Sequence, residues 1–381
     1  MKVTILSKEL IVPSSPTPSD LKTYKFSFID QQIPPYYIPL ILYYSYDHDS
    51  TIETQSQITI KLKTSLSKTL THFYPLAGRL TGDQNAVDCT DQGVQFLVAR
   101  VESSNLLDII KSPTIQDLNN LVKVDESYVE EQLAIQVNLF DCGGIAVGVS
   151  MSHRIGDACS ISSFVSHWFT VAKRTGPHRG VRTKWSPTRP LLVYPTRVEV
   201  VTALIWKCGT MALGDCKSSV AFHTINFRRR TKPSLQDHQF GNLFKMAVAV
   251  AHPTENMASR VIKLRDSFNK IDDEYVKSLM GENGVEISKA NFKQIRKFML
   301  QEGVGVFRFG SWCRFGFNEG DFGWGKPFWV SSANFSDENS IVLLDSRKDD
   351  GIEAWVVMSH DNMHKFEENA ELQEFVGDSK L

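Results

Sequence analysis

The chain has 381 residues, room for two domains at about 150 residues each. A composition of 42% hydrophobic and 22% charged residues excludes a disordered chain, a collagen-like repeat and a disulfide miniprotein. With 42 Lys and Arg against 43 Asp and Glu, the net charge of -1 gives no global attraction to nucleic acid or to an anionic membrane, and leaves room only for a local basic patch.

Met1 to Leu10 mixes charged, polar and single apolar residues, unlike a signal peptide. No apolar run approaches the length that spans a bilayer. Val3, Ile5 and Leu10 to Val12 alternate like a strand, and Tyr24 to Ile29 and Tyr37 to Tyr46 are aromatic and β-rich. Leu62, Leu66, Leu70 and Phe73 recur near the helical period, so about Thr54 to Phe73 reads as an amphipathic helix, stopped by Tyr74-Pro75-Leu76-Ala77-Gly78. Ala86 to Val101 reads as two short strands around Asp91-Gln92-Gly93. Leu133 to Phe140 and Ile145 to Ser152 flank Asp141-Cys142-Gly143-Gly144 as a hairpin does, and a helix follows from Ala158 to Arg174.

Residues 175–195 lack periodicity and read as a linker between a domain at 1–174 and one at 196–381. The second half reads as a helix, Arg197 to Leu213, a strand, Val220 to Phe227, and two helices, Ala258 to Met280 and Ser288 to Leu300. Strands are expected at Val304 to Phe309, Trp312 to Phe317, Phe328 to Ala333, Ser340 to Asp345 and Ile352 to Met358, with a closing helix at His360 to Phe375. The fold class is α/β in two lobes of mixed strands and helices, without the alternation of a doubly wound sheet. The six cysteines are scattered without zinc-type spacing, so no structural metal is expected, and their low density fits a reducing, cytoplasmic address.

The sharpest chemical feature is Ser152-His153-Arg154-Ile155-Gly156-Asp157-Ala158. A histidine leaving a strand end beside a glycine reaches a nearby cavity easily, and a pKa near 6.5 suits a general base. The same residues also fit a structural histidine with Asp157 as a plain helix cap. There is no Gly-x-Ser-x-Gly elbow and no glycine-rich phosphate loop. A base without a protein nucleophile implies that the substrate supplies the attacking group. Asp321-Phe322-Gly323-Trp324-Gly325-Lys326-Pro327 reads as a tight turn, with Asp321 pinning its loop. Ser311-Trp312-Cys313-Arg314 reads as strand, and the Trp312 indole, a donor only, suits either core packing or an oxyanion.

The pair His153 to Asp157 and Asp321 to Pro327 resembles the signatures of the plant BAHD acyltransferases. Phe73 to Leu80, Thr196-Arg197-Val198-Glu199, Asn226-Phe227-Arg228, Phe240-Gly241-Asn242 and Gly351 to Trp355 are similar to further family segments, in family order. The alkaloid- and terpenoid-acetylating branch is the most similar. The resemblance implies a two-domain fold like chloramphenicol acetyltransferase, with a channel between the domains shared by acyl-CoA, here acetyl-CoA, and a small-molecule alcohol. It implies that His153 is the general base and Trp312 its catalytic companion at the oxyanion. Gly156, Asp157, Arg228, Asp321, Gly323 and Gly325 are then structural, with Arg228 the partner of Asp157. Ser311, Asn226 and Arg229 are the candidate CoA contacts. No permanent cofactor, nucleic-acid or membrane partner is expected, and the chain is expected to be a monomer.

Two features depart from the family. The stretch between the Asp157 helix and Thr196 is shorter than usual, and it is rich in Lys and Arg, either as a solvated linker or as a surface for CoA phosphates. Gly310 stands where a hydroxyl residue is common, which shifts the oxyanion burden toward Trp312. The alternative reading is a catalytically impaired copy, supported by the short stretch. A hydrolase is disfavoured by the absence of metal-type spacing. A condensation domain expects a second histidine at Ser152 and a glycine at Ala158.

Overall fold

Two eight-residue runs, Leu133–Phe140 and Ile145–Ser152, are buried along their whole length and form the expected antiparallel hairpin. Their buried amides are satisfied: Asn138 donates to Leu121 O at 2.7 Å and Gln136 to Asn120 O at 2.8 Å. In this computed structural model residues 1–45, 55–102, 105–111, 113–123, 130–173, 194–333, 337–347 and 351–376 are described. The first half supplies β1 (Lys2–Ile11), β2 (Tyr37–Tyr44), β3 (Val94–Glu102), β4 (Leu133–Phe140) and β5 (Ile145–Ser152). The second half supplies β6 (Ser218–Asn226), β7 (Phe244–Ala251), β8 (Val304–Ser311), β9 (Trp329–Ser331), β10 (Ser340–Asp345) and β11 (Ile352–Val357).

One mixed sheet runs β1-β3-β4-β5-β2-β9, with only β3 and β4 parallel. A second runs β7-β6-β8-β10-β11, with β8 parallel to both neighbours, and a small third sheet joins Thr23–Lys25, Ala86–Asp88 and Arg79–Leu80. Thus β9, from the second half, completes the sheet of the first half, and one strand crosses the division expected near 175–195. That linker lies outside the described residues except for Tyr194 and Pro195.

Helices α1 (Gln55–His72) and α2 (Ala158–Lys173) cover one face of the first sheet. Ile58, Leu62, Leu66 and Leu70 make one buried stripe on α1, and Trp168 of α2 donates its indole N–H to Ser65 Oγ at 2.9 Å. Helices α3 (Arg197–Leu213) and α4 (Met257–Asn269) pack with the second sheet. The start of α3 is legible because Thr196 and Glu199 form a reciprocal capping box, with Arg265 of α4 paired to Glu199. Three shorter expectations are corrected. Ala258 to Met280 divides into α4 and α5 (Asp273–Met280), because Asp272 caps a new helix. His360 to Phe375 likewise divides, with Asn369 capping the second part. The strand expected at Trp312 to Phe317 is a turn, since Arg314 and Gly316 take left-handed φ of 67° and 69°. Accordingly β8 ends at Ser311.

A buried histidine carries a stability prediction. His223 of β6 stacks on Phe309 and meets the edge of Phe268, and its Nδ1 lies 3.0 Å from Thr224 O, so Nδ1 holds the proton. Its Nε2 is buried without a partner. Burial pushes its pKa down to about 4. The unfolded chain therefore takes up this proton first. The stabilisation is complete above about pH 6.5 and is lost as pH falls from there to about 4, amounting to about 3 kcal/mol. His223→Phe should flatten the acid limb of a urea-stability profile by about that amount. Parallel profiles for variant and wild type would refute the assignment.

Candidate active site

Strand β5 ends at Ser152, and residues 153–157 turn the chain into α2. His153 donates its backbone N–H to Tyr36 O at 2.7 Å. Its ring sits between the edge of Tyr36, centroids 5.3 Å apart, and the tilted ring of Phe244 at 5.6 Å. The turn is tight enough to demand glycine: a Cβ on Gly156 would stand 2.7 Å from Ser160 Cβ.

Asp157 caps α2, and its carboxylate is fully engaged. Oδ1 accepts from Ser160 N at 2.9 Å, Ser160 Oγ at 3.1 Å and Arg228 Nη2 at 3.1 Å. Oδ2 accepts from Arg228 Nη1 at 2.7 Å and Leu243 N at 3.0 Å. None of these donors belongs to His153. Arg228 is wholly buried and also donates to Gln239 O and Gly241 O, both at 3.0 Å. This ion pair ties the loop after β6 to the head of α2, and so fixes the His153 turn from behind.

Asn242, which the residue pattern placed in a motif without a role, holds the turn from the other side. Its amide donates to His153 O at 2.7 Å, Arg154 O at 3.2 Å and Asp30 Oδ1 at 2.9 Å. Asn242 Oδ1 and His153 Nδ1 are both enclosed without a well-formed hydrogen bond, and the Asn242 amide is a polar neighbour of the imidazole. Burial holds the His153 pKa below its ordinary value, opposed by nearby backbone acceptors, by Asp157 and by Asn242. The ring is therefore neutral at neutral pH.

His153 lines a cavity of about 730 Å3 between the two sheets. Tyr36 and Pro39 come to it from the first half, and Asn226, Phe244, Ser311 and Ser332 from the second. Asn226 Oδ1 accepts from Arg228 N at 3.0 Å, so it belongs to the ion-pair network as well. Trp312 lies between this cavity and a smaller one of about 240 Å3. Its backbone N–H is spent on Leu343 O at 2.7 Å. Its indole N–H and the Ser311 hydroxyl belong to residues that line the cavity. Gly310 lines the cavity too, with only Thr224 Oγ1, at 3.8 Å, near a Cβ placed there.

Two groups of expected residues lie apart from His153. Arg229 is on the surface, ion-paired with Asp237, and does not line the cavity. The Asp321 turn sits at the far end of α2, a helix of 16 residues and therefore about 24 Å long. There Asp321 accepts from Gly323 N at 2.7 Å, Gly325 N at 3.0 Å and Lys173 Nζ at 2.7 Å. Gly323 and Gly325 have φ of 106° and 114°, which favours glycine at both. Phe322 plugs into Trp168 and Phe169. Of the basic stretch, Lys173 is thus engaged with Asp321, and Arg174 to Arg189 lie outside the described residues.

The chain matches the Transferase family over residues 1–188 and 179–373. It belongs to the BAHD acyltransferases. The crystal structure of vinorine synthase superposes with a TM-score of 0.81 at 31% identity, covering 98% of both chains. Stemmadenine O-acetyltransferase of Catharanthus roseus is 35% identical over 415 residues, covering 95% of each chain. Limonoid 7-O-acetyltransferase of Citrus sinensis is 31% identical, covering 98% of this chain and 97% of the relative. As in this family, the fold is the two-domain chloramphenicol-acetyltransferase type, and the enzyme is an acyltransferase that uses acyl-CoA.

Proposed function

We propose that this BAHD acyltransferase moves an acetyl group from acetyl-CoA to a hydroxyl of a plant alkaloid or terpenoid, with His153 as general base. The observation carrying this reading is a neutral imidazole on the wall of a cavity that both halves of the chain line. Cys159 also lines that cavity, but burial pushes its thiol up to about 11, so it is not a thiolate at neutral pH. In the proposed step, His153 Nε2 takes the acceptor's proton as its oxygen attacks the thioester carbonyl. The tetrahedral intermediate expels CoA thiolate, which recovers that proton from the imidazolium. The Ser311 hydroxyl and Trp312 indole N–H are the proposed oxyanion donors. Asn242 is the proposed positioning residue, holding the His153 turn through the carbonyls of His153 and Arg154.

Tyr36, Phe244, Phe315 and Trp312 give the cavity aromatic walls suited to a bulky, largely apolar acceptor. Relatives named for stemmadenine and limonoids support that class. Asn226 and Ser311 are proposed to meet the pantetheine arm. Arg229 would meet a CoA phosphate by exchanging Asp237 for it. The proposed working form is a cytosolic monomer with domains at 1–174 and 196–381 and no nucleic-acid partner. No helix among the described residues is long and apolar enough to cross a membrane.

Incubation with acetyl-CoA and a panel of hydroxylated alkaloids and limonoids tests the proposal, reading free thiol and the acetylated product by mass. One observation favours a second reading, an impaired copy. The alignment to stemmadenine O-acetyltransferase runs over 415 residues, more than the 381 present here, so the relative carries residues that this chain lacks. Silence across the panel would favour that reading.

The direction of the His153 shift predicts the pH profile. kcat/KM should be flat above neutrality and fall at acid pH with a midpoint below about 6.5, because protonation removes the base. An acid limb centred above 7 would contradict the assignment.

A further inference from the structure

Helix α6 (Gly284–Met299) is strongly two-faced, yet it buries only Gly284 and Ser288. Its inner face carries the half-buried Ile287, Ile295 and Phe298, and it is pinned by polar contacts: Lys245 Nζ donates to Ser288 Oγ at 2.9 Å, and Ser288 donates to Gln32 Oε1 at 2.7 Å. Val285, Phe292 and Met299 recur every seventh residue, so they fall within about 20° of one line along the helix. They are 41%, 52% and 38% exposed, and Leu300, 71% exposed, extends the stripe. Isolated apolar side chains at a surface need no explanation, but an ordered stripe two turns apart does.

A strip of cations runs beside this stripe. Lys289, Lys293, Arg296 and Lys297 lie roughly 40–140° around the helix from Phe292. Against them residues 284–300 hold one carboxylate, Glu286, so four positive charges and one negative leave +3 on a chain whose net charge is -1. Among the described residues none of these four cations forms an ion pair, whereas Lys263, Arg265 and Lys277 on α4 and α5 all do. The near-neutral total charge concealed this patch.

We propose that α6 docks the enzyme on an anionic phospholipid surface. The apolar stripe sinks to the boundary between head groups and acyl chains, and the adjoining Lys and Arg side chains extend to the lipid phosphates and carboxylates. A second copy of the chain is a poor occupant, since a two-fold contact would set the same cations against each other. The attachment is peripheral and leaves the cavity around His153 unaltered.

Flotation of the full-length enzyme with vesicles of phosphatidylcholine alone, or of phosphatidylcholine with phosphatidylserine, tests this proposal. The enzyme should float with the phosphatidylserine vesicles only, and raised salt should release it. Phe292→Ser and the double variant Lys293→Glu/Lys297→Glu should each lower the bound fraction about tenfold. Acetylation of a water-soluble alcohol should be unchanged in both. Because these side chains are exposed, the melting curves should match wild type, and Lys293→Gln/Lys297→Gln replaces any variant that melts early. Equal flotation with both vesicle types, none with either, undiminished binding by the variants, or self-association through α6 without vesicle binding would overturn the proposal.

Discussion

His153→Ala is expected to fold as wild type does and to lose about 10²–10⁴-fold in kcat, the range general-base catalysis supplies. The ring stands on the cavity wall with Tyr36 and Phe244 against it, and its removal deletes no buried ion pair. The melting temperature should therefore move little. CoA affinity should hold, because the proposed CoA contacts, Asn226, Ser311 and Arg229, remain. Stopped assays of acetyl transfer together with calorimetric CoA binding check both halves. Near-wild-type turnover in a folded variant would remove His153 from the mechanism.

Asp157→Ala should behave in the opposite way. Arg228 has no exposed surface, and the substitution would leave its guanidinium buried with only neutral partners, the carbonyls of Gln239 and Gly241 and the side chains of Asn226 and Ser160. Breaking a buried pair from one side costs about 3–5 kcal/mol. Ser160 N and Leu243 N would also lose their acceptor. The variant should express poorly and unfold at lower denaturant, while whatever remains folded keeps turnover within about tenfold, since a structural loss does not remove the base. Urea unfolding alongside activity per folded molecule separates the two effects. A variant as stable as wild type but inactive would mean that Asp157 acts on the reacting atoms.

The contrast between these residues shows where sequence reasoning works. The β4–β5 hairpin is legible because two apolar runs flank a glycine turn, and α3 because its cap lies three residues from its partner. Both signals are local. Strand β7 was not expected: its alternation is of small residues, with Lys245 inside it, and its pairing with β6 is what defines it. Trp312 to Phe317 misled in the other direction, since aromatic content suggests a strand while two left-handed residues impose a turn. Asp157 and Arg228 are 71 residues apart, so their pairing came only through family likeness. The grip of Asn242 on His153 O spans 89 residues and leaves no local trace. The remoteness of the Asp321 turn follows from the length of α2 once that helix is known to connect the two motifs.

The central claim is direct transfer from thioester to alcohol, assisted by an imidazole and without an acylated protein. It is tested most directly by mixing wild-type enzyme with acetyl-CoA in the absence of any alcohol, then following free thiol and intact protein mass. The account predicts no thiol burst and an unmodified chain until the acceptor is added. A burst equal to the enzyme concentration, with acetyl found on His153 or Cys159, would contradict it.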